Sequence, residues 1–189
     1  MEKRHRVFIA INLPEEIKRD LARYEKKWPE LPAKWTAKDS LHITLEFMGG
    51  LTDEEIGEVC FAVKEIAESH SSFPVDLKKV LYGPEGKFPP RMVWVEGEKS
   101  KELSDLKKDL QDRLLEKVRF KPDENSFSPH ITLARISEWE FKRINPEEVP
   151  EINEDVDLNF SVEAIEVMES ELTHKGPRYT ILESHELQN

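Results

Sequence analysis

Ser40-Leu41-His42-Ile43-Thr44-Leu45 returns about 90 residues later as Ser128-Pro129-His130-Ile131-Thr132-Leu133, changed only at the second position. An extended chain sends successive side chains to opposite faces. In each copy the His and Thr therefore share one face, and the Ile and Leu share the other. Each copy presents an imidazole and a hydroxyl and anchors itself through two aliphatic side chains. Two such strands side by side would set two imidazoles and two hydroxyls across one cleft. An unperturbed imidazole titrates near pH ~6.5 and can act as general base or general acid. A hydroxyl on the same face can donate to a phosphate oxygen where negative charge grows. One acid, one base and two such donors are what phosphodiester cleavage needs without a metal, in the manner of a two-histidine ribonuclease.

Other chemistries fit less well. The six histidines show no close pairing with Cys, Asp or Glu at metal-ligand spacing. No strand-turn-helix nucleophile elbow is present for a Ser-His-Asp hydrolase. Around the motifs, Arg135 could bind phosphate, but it shares the parity of Ile131 and Leu133 and points away from the cleft unless the strand bulges. Phe8 could stack a base or fill the core. Glu46 has the parity of His42 and could orient it or stand as a solvated charge. Arg91, Lys175 and Arg178 are candidate sources of local positive charge. His5, His70, His174 and His185 have no partner pattern.

The elements that must position these residues can be read in order. Arg6 to Leu13 is a near-continuous apolar run, expected as a buried strand. Pro14 suits a first helical position, and Ile17, Leu21, Tyr24 and Trp28 predict an amphipathic helix over 14–28. Lys34-Trp35-Thr36 is a short extended piece before the first motif strand, expected over 41–48 and broken by Gly49-Gly50. Thr52 and Glu55 form a capping box for a helix marked by Ile56, Val59, Val63 and Ile66. A strand follows from Phe73 to Leu81. Gly83 to Pro90 is the best internal boundary. Beyond it the order begins again: a strand at 91–97, a leucine stripe from Leu103 to Val118, a loop at 121–127 and the second motif strand. A short helix near Trp139, an acidic surface loop over 145–157, one bulged strand from Phe160 to Leu172 and a strand from Tyr179 to Glu183 complete the chain.

The expected fold class is thus α+β: two pseudo-symmetric lobes with antiparallel sheets lining a central cleft and helices outside. The lobe-level repeat spans approximately 6–82 and 91–172 within one bilobal domain, 1–189. A chain of 189 residues is ample for one such core. Hydrophobic content of 38% and charged content of 35% describe a globular protein with a heavily charged surface. No apolar run approaches membrane-spanning length. The run after the basic N-terminus is too short for a signal peptide core. The one cysteine, Cys60, cannot close an internal disulfide, so a reduced cytoplasmic setting is expected. With a net charge of −11 and no long basic run, the protein is not expected to track a long nucleic acid. It should grip an end or a small fragment in a local positive pocket, as a monomer.

Paired His-x-Thr-x motifs on a duplicated α+β frame resemble the 2H phosphoesterase superfamily. Within it, Val7-Phe8-Ile9-Ala10-Ile11, His42-Ile43-Thr44-Leu45 and Ser128-Pro129-His130-Ile131-Thr132-Leu133-Ala134-Arg135 are similar to the bacterial and archaeal RNA 2′,3′-cyclic phosphodiesterases, first named 2′-5′ RNA ligases. The similarity runs from Arg6 to Glu183. It implies opening of a terminal 2′,3′-cyclic phosphate to a 2′-phosphate with no metal or other cofactor. It further implies His42 as proton donor, His130 as the acceptor that activates water, and Thr44 and Thr132 as holders of the phosphate. The implied partner is an RNA end, or a small nucleotide, bearing the cyclic phosphate. Two alternatives stand beside this: 2′-5′ RNA ligation at the same site, and a non-catalytic RNA- or nucleotide-binding module. An acid-base pair is more than binding alone requires.

Overall fold

The structure is a computed structural model that describes residues 3–123, 127–174 and 176–189. The loop expected at 121–127 and Lys175 therefore lie partly or wholly outside the described residues.

The first strand, β1 (His5–Asn12), is buried on both faces because each face meets a different apolar layer. Val7, Ile9 and Ile11 enter the main core, while Phe8 and Ala10 pack with Met168 and Tyr179 on the other side. Helix α1 (Glu15–Ala22) is shorter than the predicted 14–28 and tightens into a 3₁₀ turn at Arg23–Lys26, a common way for a helix to finish. A short strand, β2 (Ala33–Trp35), follows.

The first motif opens β3 (His42–Leu51), which runs on through Gly49-Gly50 instead of breaking there. Gly49 adopts φ 78°, and its opposite number shifts register between Val7 and Phe8, so the glycine makes a bulge and not an end. Helix α2 (Asp53–Ala67) starts from the Thr52–Glu55 capping box, both of whose hydrogen bonds are present. Next come β4 (Phe73–Gly83), β5 (Met92–Gly97) and α3 (Lys101–Lys117). In α3 Leu103, Leu106, Leu110 and Leu114 are all fully buried, as the leucine stripe requires. The second motif opens β6 (His130–Ile136), followed by the short helix α4 (Glu138–Phe141).

Two expectations for the last third are corrected. Residues 153–157 are not surface loop; they begin β7 (Asn153–Val162), whose outward Asn153, Asp155, Asp157 and Asn159, with Glu154 on the other face, hide the strand pattern. The single strand expected from Phe160 to Leu172 is two strands, β7 and β8 (Ala164–Thr173), parted at Glu163. The last strand is β9 (Gly176–Glu186).

The strand order is β7-β4-β5-β6-β3-β1-β8-β9, with β2 added on β6, and every ladder is antiparallel. At ~4.8 Å per strand, β7 and β8 would stand about 29 Å apart in a flat sheet. One residue joins them, so the sheet must fold back on itself. The fold line is the crossing of the two motif strands, which touch through the single pair Ile43↔Ile131. That pair is the same residue of each motif, as a pseudo-twofold axis demands. The last strands of the two halves are exchanged. β4 pairs with β5 and β7, while β8 pairs with β1 and β9. Each layer of the cleft is thereby built from both halves of the chain.

Candidate active site

The two motif strands share one burial pattern. From His42 to Met48 and from His130 to Ile136, half-exposed and buried residues alternate, then two consecutive residues are buried, then one is exposed. The cause is a matched pair of bulges. Ladder register shifts between Ile9 and Ala10 opposite β3, and between Val93 and Trp94 opposite β6. Each bulge flips the parity that follows it. Arg135 therefore lies on the face of His130 and Thr132, and its guanidinium lies 3.7 Å from the Met92 sulfur that Thr132 Oγ1 also approaches, at 3.9 Å. Glu46 is turned the other way. It is 2% exposed and ion-paired with Lys107 of α3, so it does not orient His42.

Each imidazole is tied back in the same manner. His42 Nδ1 lies 2.7 Å from the Ser40 carbonyl, and His130 Nδ1 lies 2.8 Å from the Ser128 carbonyl. A carbonyl only accepts, so both Nδ1 atoms carry hydrogen and both Nε2 atoms are left for chemistry. His42 Nε2 lies 3.1 Å from Thr44 Oγ1. Burial pushes the His42 pKa down; the Lys18, His130 and Arg135 charges add to this, and the hydrogen bond to Ser40 opposes it.

The pseudo-twofold relates the two motif strands but not their linings. Phe47 is the counterpart of Arg135. His42 sits 5.0 Å from the Phe8 ring and 5.2 Å from Tyr179, edge-on, with Phe47 6.1 Å from Phe8 and 64% exposed. His130 instead meets Trp94, with ring centroids 4.4 Å apart. Trp94 lies flat on Gly83, where an added Cβ would come within 2.5 Å of the indole. The His42 side thus carries Phe47 and Tyr179, and the His130 side Trp94 and Arg135.

His42, His130, Thr44, Thr132, Phe8 and Arg135 are thus brought to one cleft. Arg91 and Arg178 are not among them; they pair on the surface with Glu138 and Glu171. His5, His70 and His185 pair with carboxylates elsewhere. Phe47, Tyr179, Trp94 and Lys18 were not singled out by sequence. The first was hidden by the bulge, and the others come from strands and a helix with no motif of their own. Among the described residues no group of three His, Cys, Asp or Glu could hold a metal ion.

The model of the LigT-like phosphoesterase family matches the chain twice, over residues 11–94 and 95–179. The chain belongs to the LigT-like phosphoesterases. The two matches fall on the two halves that carry the two motifs. Relatives named RNA 2′,3′-cyclic phosphodiesterase match over most of the chain. One from Methanocaldococcus jannaschii is 28% identical, covering 94% of this chain and 98% of its own. One from Thermus thermophilus is 30% identical, covering 96% and 90%. A crystal structure of a Thermus thermophilus protein superposes with a TM-score of 0.83 at 30% identity, covering 97% of this phosphoesterase and 98% of that chain. Escherichia coli LigT in complex with 3′-AMP superposes with a TM-score of 0.80 at 25% identity, covering 99% and 100%.

Proposed function

We propose that the protein hydrolyses the terminal 2′,3′-cyclic phosphodiester of RNA to a 2′-phosphomonoester, without metal, using His42 as acid and His130 as base. The observation that carries this reading is the matched tethering of the two imidazoles, which leaves both Nε2 atoms on the face that bears Thr44, Thr132 and Arg135. The names of the relatives and the 3′-AMP held by E. coli LigT support a nucleotide phosphate as the occupant.

In the reaction, His130 Nε2 takes a proton from water as the water oxygen bonds to phosphorus. The P–O3′ bond breaks, and imidazolium His42 gives its Nε2 proton to O3′. The net change is addition of one water. In the free site a neutral His42 accepts from the Thr44 hydroxyl. Once the anionic substrate draws a proton onto His42, that hydroxyl is released to donate to a phosphate oxygen. Thr132 and Arg135 meet the remaining charge.

The unequal linings support this division of roles. Water and leaving oxygen lie on opposite sides of phosphorus, so the nucleoside lies on the side of the acid. Phe47 and Tyr179 provide its stacking surface there, beside His42, while Phe8 is buried behind them and fills the core instead of stacking. The heavily charged surface and single buried Cys60 support a monomer in a reduced, cytoplasmic setting.

The test is incubation of purified protein, with chelator, on nucleoside 2′,3′-cyclic phosphates and on RNA ending in one. Turnover that chelation leaves intact is expected. Absence of turnover on every member sinks the enzymatic reading, and activity restored only by a divalent ion sinks the metal-free one.

A further inference from the structure

Lys18 is a buried ammonium that the reaction as described does not use. It stands on α1, is 7% exposed, and its Nζ lies 3.4 Å from the carbonyl of Asp39. A lysine in the first turns of an amphipathic helix ordinarily carries its charge to water along an apolar stem. Burying that charge is costly unless something nearby repays it. Asp39 belongs to the one-turn 3₁₀ segment Lys38–Ser40, and the next carbonyl, that of Ser40, is the one that holds His42 Nδ1. Lys18 therefore grips the peptide immediately before the anchor of the acid. Glu15, from the same helix, pairs with Lys38 on the outer side of that turn.

The other half shows why such a grip is needed on this side. The turn before His130 contains Pro129, whose ring fixes φ and stiffens the approach to the strand. Gly97 N–H also donates to the Pro129 carbonyl at 2.9 Å. The position equivalent to Pro129 is Leu41, the one difference between the two motifs. Leu41 leaves φ free, and the stiffness must come from elsewhere.

We propose that Lys18 is a positioning residue for His42: it braces the turn that orients the imidazole and sets a positive charge against its protonated form, making it a readier proton donor. This rests on the reading of His42 as the acid. The direction of the His42 pKa agrees, since the Lys18 charge lowers it alongside burial. The other charged or titratable groups facing His42 are His130 and Arg135 from β6 and Tyr179 from β9; Lys38 and Asp39 of the preceding turn carry their charges outward. The nearby buried Glu166 of β8 also feels the Lys18 charge. None of them touches the Asp39 carbonyl as Lys18 does.

The experiment uses Lys18→Met, which removes charge and hydrogen bond while keeping the apolar stem, and Lys18→Gln, which removes the charge and keeps a donor. The His42 titration is followed by NMR of the imidazole in the free protein, assigned with His42→Ala. In both variants its midpoint should move to higher pH, and the limb of the kcat–pH profile that His42 sets should move with it, with KM little changed. Lys18→Arg, which keeps the charge, should retain the wild-type midpoint. If Lys18→Met does not fold, Lys18→Gln alone decides. A midpoint unmoved in the folded neutral variants overturns the proposal, as does a loss confined to KM. Failure of the enzymatic reading shows differently, as a wild-type protein with no turnover, and the titration needs no substrate.

Discussion

Two imidazoles can divide acid and base work only if their surroundings differ, and here the differences are local to single residues. His42 is packed between Phe8 and Tyr179 and feels Lys18; His130 rests on Trp94. Hydrolysis needs one imidazole protonated and one free at the same time. kcat/KM against pH should therefore be a bell, whose limbs belong to the coupled pair. His42→Ala should slow turnover by roughly 10²–10⁴, and His130→Ala likewise. The double variant should lose far less than the product of the two, because residues acting as a unit are not additive. With His42 beside O3′, phosphorus NMR should find a 2′-phosphate in the product. A 3′-phosphate would mean that O2′, and not O3′, leaves from beside the acid, and would overturn the proposed seating of the ribose. Full activity in either single variant would remove the mechanism.

At the scale of elements, the bulges of β3 and β6 decide what each side chain does. Much was legible beforehand: the repeated motif, the capping box, the leucine stripe of α3 and the apolar strand that opens each half. Parity counting along His-Ile-Thr-Leu placed the His and Thr pairs together, because no irregularity intervenes between them. It misplaced Glu46 and left Arg135 conditional because a bulge inserts one residue that the sequence does not mark. The exchange of β4 and β8 between the halves was equally hidden, since strand pairing is set by contacts distant along the chain. Behind β3 the bulge has a structural consequence. Glu46 and Lys107 form a buried pair joining the first motif strand to a helix of the second half, and Lys107 Nζ also lies 3.2 Å from Gln111 Oε1. Removing one member leaves the other charge buried. Lys107→Met should therefore cost about 3–5 kcal/mol, and Glu46→Leu with Lys107→Met should recover most of it. Urea unfolding would measure both. Equal losses in the single and double variants would show that the pair contributes packing and not charge compensation.

For the whole molecule, the net charge of −11 works against an anionic substrate, so the field that meets RNA must be local. The folded sheet makes this possible by drawing Lys18 from the first half and Arg135 from the second toward one point, where both act on His42. Many of the other described cations pair with carboxylates over the surface, as Lys27 does with Glu154 and Arg113 with Glu65. A protein built this way should hold the end of a chain and leave the rest in solvent. The slope of log kcat/KM against log salt should then correspond to only one or two phosphates, roughly −0.7 for each on a single strand. It should also be nearly the same for a nucleoside 2′,3′-cyclic phosphate and for a longer RNA ending in one, because the added phosphates meet no cationic track. Rates measured across a potassium chloride series on the two substrates decide this. A slope that steepens with each added nucleotide would require an extended cationic groove and would overturn end-binding.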